Sequence, residues 1–439
     1  MASTRLSETM GTPTLATKFT YSLWVKRGQL GAIQTIASMW NDGNNHTILR
    51  FNNDDSIAFY DYSSSSISGE LVTNALFRDT SAWLHIVAQF DSTQATAGDR
   101  MKLYVNGERI TSFTGTEAYP SQNFTPTANT SGSTSYVGGR GDGAYYDGLI
   151  THANFIDGLA YQASDFGETD STSGIWKPKT APSVTYGTNG YFLKFGNSGA
   201  MGTDSSGNSN TFTVSGTITQ TEDTPSNNFA TLNPLTKNSS DTLANGNTKF
   251  TATSGASYSN ALSTLGFDTG KWYAEVKIAS ASTYYPVVGI ASSEASGNYG
   301  SPTSTGYIGD TTGSAGLFMH GDIRVDNSAG SPAPASYTTN DIVGLAVDLD
   351  SATKTLKLYK NGTLDQTYTI TAPLGFYHFG VSGGGTTSDA VEWNFGNGKF
   401  GTTAVASSNS DSAGLGLFEY SVPTGYYALC TKNIKLYGG

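Results

Sequence analysis

Asp348 and Asp350, in the run Val347-Asp348-Leu349-Asp350, have the i, i+2 spacing that sets two side chains on one face of a strand. Two carboxylates about 5 Å apart on such a face could carry retaining glycoside hydrolysis, one as nucleophile and one as acid. Glu392, in Val391-Glu392-Trp393, is a third acid on an alternating run, with no second acid paired to it. The plainer reading is stronger for all three. Asp350 closes a strand just before a hairpin loop, where Asp commonly bonds to its own backbone. The five histidines, His46, His85, His152, His320 and His378, are scattered and show no metal-ligand spacing. Alternation places His85 opposite the core face of its strand, at the surface or in a second layer. No catalytic group is expected, and neither a nucleophile elbow nor a phosphate loop.

Residues suited to recognition are easier to find. Tyr offers a flat apolar face and a polar tip at low entropic cost, which suits sugar stacking and protein contacts alike. Tyr60 and Tyr62, Tyr145 and Tyr146, and Tyr284 and Tyr285 cluster in polar surroundings. Trp40, Asp42 and Asn44 stand together before one predicted turn, and Arg140, Asp142, Tyr145 and Tyr146 in another. These residues, with Tyr284 and Tyr285, are the candidate ligand-binding set. Asp42 and Asn44, or Asp142 and Asp147, are candidate calcium ligands, since calcium takes loop carboxylates and carbonyls. The competing reading is that Asx-rich turns of this kind are only turns. No other cofactor is expected. Arg140-Gly141-Asp142 also spells an integrin-type tripeptide, to which no weight is given.

The elements that must position these residues are strands. Leu84, Ile86, Ala88 and Phe90 alternate with His85, Val87 and Gln89, and Met101, Leu103 and Val105 alternate with Lys102 and Tyr104. Asn106-Gly107 follows, a strong signal for a two-residue hairpin turn. The same device returns as Val343, Leu345, Val347 and Leu349, then Leu356 and Leu358, then Asn361-Gly362. Shared strand register with unequal loops argues for two related sandwiches. Further strands are predicted over 14–26, 34–40, 47–52, 56–62, 71–76, 135–139, 148–156 and 190–195. Ser63 to Ser66 reads as a flexible loop, and no helix of 12 or more residues is expected. With 52 glycines and only 13% charged residues, the composition agrees with an all-β chain.

A net charge of −11 and the absence of a basic stripe exclude nucleic acid as an expected partner. No apolar run is long enough to span a membrane. The opening residues do not read as a signal peptide, and the single cysteine, Cys430, allows no intramolecular disulfide. Synthesis and assembly in a reducing cytoplasm are expected.

FTYSLWVK, WLHIVAQFD, MKLYVNGERI and DGLITHANFIDGLAY, in that order over residues 14–165, resemble the laminin-G-like, concanavalin-like lectin sandwich. GKWYAEVKI, PVVGIA, GYIGD and the stretch 341–361 resemble the SPRY module over residues 245–400, with Ala274 and Leu358 where that family carries aromatics. The resemblances imply two concanavalin-like antiparallel β-sandwiches, or jelly rolls. The expected domains are 1–165, a Ser/Thr/Asn-rich connector with a returning strand at 166–244, and 245–439. The phrases over Met201–Leu235 and Gly425–Ile434 are similar to segments of bacteriophage structural proteins. That similarity implies a non-enzymatic virion surface protein, a capsid decoration, head fibre or tail appendage. It would assist attachment to host-surface glycans, contact other capsid or tail proteins, and form a dimer or trimer. The alternatives are a polysaccharide-degrading enzyme on the same fold and a cytosolic protein-recognition module.

Overall fold

Period-two alternation carries straight into the sheets. The computed structural model describes residues 4–438 except 116, 128, 172–173, 253–255, 283–284, 298, 300, 302–305, 372–373 and 386–388. The chain forms two compact units, Met1–Gln220 and Thr221–Gly439. Described strands pair antiparallel, save Tyr427–Ala428, which lies parallel to Lys271–Ser280. Among the described residues the helices are short, Ala163–Phe166, Thr431–Tyr437 and a single 3₁₀ turn.

In the first unit one sheet has the strand order Thr213–Ser215, Arg5–Thr9, Thr134–Val137, Gln34–Asp42, Asn45–Phe51, Ser56–Ser63, Ser66–Leu76. The second runs Tyr191–Leu193, Gly148–Asp157, Lys18–Arg27, Trp83–Asp91, Met101–Val105, Glu108–Arg109. Leu6, Met39, Leu49 and Phe59 from the first face Phe19, Leu23, Ile86, Leu103 and Phe155 from the second in one buried core. Each such side chain contributes roughly 1.5–3 kcal/mol on burial. Asn106 (φ 50°) and Gly107 (φ 90°) form the left-handed turn that Asn-Gly favours. Ser64 and Ser65 take the same conformation, at φ 50° and 66°. The stretch read as a flexible loop is therefore a tight hairpin turn. Local bonds hold it there: Ser64 N–H donates to Asn45 Oδ1 at 3.0 Å, and Tyr62 Oη–H to the Ser65 carbonyl at 2.9 Å.

In the second unit one sheet runs Thr242–Ala244, Lys249–Thr251, Ala390–Asn394, Lys271–Ser280, Ile342–Asp348, Thr355–Lys360, Thr363–Thr369. Its partner runs Ala256–Leu262, Tyr377–Gly385, Val287–Ser292, Ser314–Leu317, Ile323–Val325, Ser328–Ala329. Val343, Leu345, Val347, Leu349, Leu356 and Leu358 all lie in the core between them.

Each unit also carries a third layer. In the first, Tyr161, Phe166, Trp176 and Tyr186 cover the outer side of the second sheet at Val87, Tyr104 and Ile156. In the second unit, Phe418, Tyr426, Ala428 and Cys430 cover the outer side of the first sheet at Tyr273 and Ala346. Both covers reach the Asn-Gly turn. A Cβ on Gly107 would lie 3.3 Å from the Trp176 ring, and one on Gly362 would meet Tyr420. The glycines thus supply the positive φ and leave room for an aromatic cover.

Candidate binding site

The acids that could have formed a hydrolytic pair are occupied. Asp348 lies 2.9 Å from Lys271 Nζ. Burial pushes its carboxyl up, but hydrogen bonds from the Ser351 amide, Lys271 and the Ser351 hydroxyl outweigh that and bring it to about 2. Asp350 Oδ1 accepts the Gly270 N–H at 2.7 Å. Glu392 pairs with Lys249 at 3.4 Å. A carboxyl held that low is a poor proton donor near neutrality.

His85 has the distances of a nucleophile–base pair, with Ser22 Oγ 2.8 Å from Nε2. The protons run the wrong way. Trp176 Nε1–H donates to His85 Nδ1 at 3.0 Å, so the ring hydrogen sits on Nε2 and points at Ser22. Both residues are fully buried under the cover, and burial lowers the imidazole to about 3. His85 is thus a second-layer residue. In Trp176→Ala the imidazole is expected to return towards its ordinary value near 6.5, read by NMR titration of its ring protons. Gly380-Val381-Ser382-Gly383-Gly384 spells a nucleophile-elbow pattern that the sequence reading passed over. It lies inside the strand Tyr377–Gly385, with no strand-to-helix turn, and Ser382 Oγ–H donates to Asn260 Oδ1.

The outer side of the seven-stranded sheet is different. Register places Trp40 opposite His46 and His46 opposite Tyr62. Their rings stack: Trp40 to His46 at 4.6 Å and 13°, His46 to Tyr62 at 5.1 Å and 20°. One residue pair along, Tyr60 lies opposite Ile48 and Glu70. Arg50 lies over the Tyr60 ring at 5.0 Å, and Arg140 over Trp40 at 5.8 Å. Arg5 lies 4.6 Å over Tyr136 and 5.7 Å over Tyr145. Trp40, Tyr62, Arg50, Glu70, Tyr136 and Tyr145 are all half-buried. Burial lowers His46 from its ordinary value, so its imidazole is neutral at pH 7. The face combines apolar ring surface with charged donors and acceptors, the mixture that a ligand with both C–H and O–H faces requires.

The sequence candidates are distributed as follows. Trp40, Arg140, Asp142 and Tyr145 come together on this face. Arg140 Nε pairs with Asp142 at 2.6 Å, and Arg5 donates to the Arg140 carbonyl. Gly141 presses on Trp40 so closely that a Cβ would overlap the indole. The Arg-Gly-Asp charges therefore satisfy one another within the loop. Tyr146, one residue from Tyr145, turns the other way and packs against the core beside Phe51 at 6.4 Å. Asp42 and Asn44 form the Asx turn of the adjacent hairpin, with Asn44 N–H donating to Asp42 Oδ1 at 2.7 Å. Asp147 lies against Gly28, and burial raises its carboxyl. A calcium ion takes six to eight oxygens. Among the described residues no group of three or more Asp, Glu, His or Cys side chains converges. Tyr284 lies outside the described residues. Tyr285 belongs to the second unit, within an aromatic cluster with Tyr258 at 5.8 Å and Phe318 at 6.3 Å.

Arg5, His46, Arg50, Glu70 and Tyr136 are members of the face that the sequence candidates omitted. The signal was present. A hairpin joining 47–52 to 56–62 sets His46, Ile48 and Arg50 on the same side as Ala58, Tyr60 and Tyr62.

Residues 5–162 match a laminin-G-type family model, the Concanavalin A-like lectin/glucanases superfamily. The match covers most of the first unit. The fold of the chain is all-β, with antiparallel sheets packed as two sandwiches. Among solved structures, the SPRY domain of human HERC1 is 16% identical with a TM-score of 0.32, covering 37% of this chain and 96% of that one. The TRIM65 PSpry domain is 16% identical with a TM-score of 0.29, covering 38% and 91%. A heptameric SAP-like pentraxin from Limulus polyphemus is 15% identical with a TM-score of 0.27, covering 35% and 69%. No curated protein matches the chain.

Proposed function

We propose that this chain is a non-enzymatic virion surface protein of a bacteriophage that binds glycans on the outer face of its seven-stranded sheet. The observation that carries the binding role is the Trp40–His46–Tyr62 stack, with Trp40 and Tyr62 half-buried and flanked by Arg50 and Arg140. The superfamily match over residues 5–162 supports a carbohydrate-binding module. The virion role rests on the two phrases similar to phage structural proteins, at Met201–Leu235 and Gly425–Ile434. Stalk-forming heptads and short repeats are not visible in the sequence, which favours a head decoration or head fibre over a tail fibre. A dimer or trimer contacting other capsid proteins is the expected assembly.

Retention of the full chain on immobilised host-surface polysaccharide tests the binding role. Trp40→Ala and Tyr62→Ala are each expected to weaken retention by about tenfold or more, as truncation of an aromatic anchor does. Retention unchanged in both variants would remove the face from consideration. Binding is expected to persist in EDTA, with no release of reducing sugar. Release abolished by Asp348→Asn or Glu392→Gln would favour the hydrolase instead. Immunogold labelling that places the chain inside the capsid would end the surface assignment.

A further inference from the structure

Tyr60 is nearly buried at the centre of the face, yet two guanidiniums converge on its hydroxyl. Arg50 Nη1–H donates to Tyr60 Oη at 3.3 Å, and the positive charge of Arg140, which lies over the neighbouring Trp40 ring, also acts on that hydroxyl. Two like charges meeting at one neutral oxygen are unfavourable unless an anion is available to them. Asp142 balances Arg140 only. Arg50 spends its Nε on the neutral amide oxygen of Asn52 at 2.8 Å, and among the described residues no carboxylate is ion-paired to it. Glu70 stands across the strand pairing from Tyr60. Arg5 reaches the same loop, where it donates to the Arg140 carbonyl.

We infer that the ligand of this face is an acidic saccharide, whose carboxylate is taken between Arg50 and Arg140 while a neighbouring sugar ring lies against Trp40 and Tyr62. This rests on the glycan-binding reading above and adds the charge of the ligand. Guanidinium–carboxylate bonds are charge-assisted and can be bidentate, and they are roughly twice as strong as neutral ones. The geometry selects for a planar carboxylate with hydroxyls nearby, as in a uronic or sialic acid residue.

Calorimetric titration of the full chain with matched probes tests it: 3′-sialyllactose against lactose, and oligogalacturonate against neutral galacto-oligosaccharide. At least one acidic probe is expected to bind about tenfold or more tightly than its neutral counterpart, a preference that fades as salt rises. Arg50→Gln should lower affinity for the acidic probes more than for the neutral ones and so erase that preference, with near-ultraviolet circular dichroism unchanged. Neutral probes binding as well as acidic ones, with Arg50→Gln silent, would overturn the acidic assignment and leave the glycan site standing. Binding of either kind that survives Trp40→Ala and Tyr62→Ala would remove the site itself. If no probe of either kind binds, both are overturned.

Discussion

Glu275→Ala is expected to cost about 4 kcal/mol and to release the segment around residues 419–420 from the second sandwich. Glu275 is fully buried on Lys271–Ser280, facing the third layer and not the core. Its Oε2 accepts the Glu419 N–H at 2.8 Å, and its Oε1 accepts the Tyr420 N–H at 2.9 Å and the Tyr273 hydroxyl at 3.2 Å. Removing the carboxyl leaves three donors without acceptors, at about 1–3 kcal/mol each before relaxation. Chemical denaturation gives the cost, and hydrogen exchange at Glu419 and Tyr420 gives its location.

The same group sets a pH dependence. Burial raises the carboxyl from 4.5 to about 7, against the pull of the Glu419 and Tyr420 amides. The folded state therefore holds a proton that the unfolded state has lost between those values. Its contribution is present in full below about 4.5, falls as pH rises towards about 7, and is gone above. The total is on the order of 3 kcal/mol. Glu275→Gln keeps one acceptor but turns an amide NH₂ towards a backbone N–H. It should be less stable at acid pH and flat across this window. Stability of the wild-type chain that rises from pH 5 to pH 8 with no such falling component would count against the raised carboxyl.

Asp55→Ala is the second large effect, again about 4 kcal/mol, in the first unit. The Arg27 side chain is fully enclosed, 3.0 Å from Asp55 Oδ1. Asp55 also accepts the Gly31 N–H at 2.8 Å and pairs with Arg78 at 3.0 Å. Burial pushes its carboxyl up, but the Gly31 amide and the two guanidiniums outweigh it and leave the group below the ordinary carboxylate range. Alanine would strand the Arg27 guanidinium in the interior, and Asp55 sits at φ 74°, where alanine is strained. Asp55→Asn tolerates that φ and keeps an acceptor, so it isolates the loss of charge. A melting-temperature series over Asp55→Ala, Asp55→Asn and Arg78→Ala separates the terms. Arg78 is half-exposed at its side chain, and its loss should be small.

The strands and the two Asn-Gly turns were legible because alternation and positive φ are local demands that residues must meet within a few positions. The third layers were not. Trp176 and Tyr161 sit in polar stretches with no period, and their apolar character has meaning only against the outer sheet face that they cover. The candidate face was legible in part. Asx-rich turns drew attention to Trp40 and Arg140, but Arg50 and His46 enter only through cross-strand register. Tyr145 and Tyr146 are equivalent as a pair of letters, and the backbone alone decides which of them looks outward.

The third layer also has a bearing on how the polypeptide emerges from the ribosome. In the first unit His85 waits 91 positions for Trp176, whereas Glu275 waits 144 for Glu419. At the edge of the same cover, the Asn228 amide donates to Thr431 across 203 positions. Contacts that distant form late and slowly. During synthesis the second sandwich holds an ionisable group, Glu275, and an apolar sheet surface open to the solvent until the segment around residues 418–430 has been made.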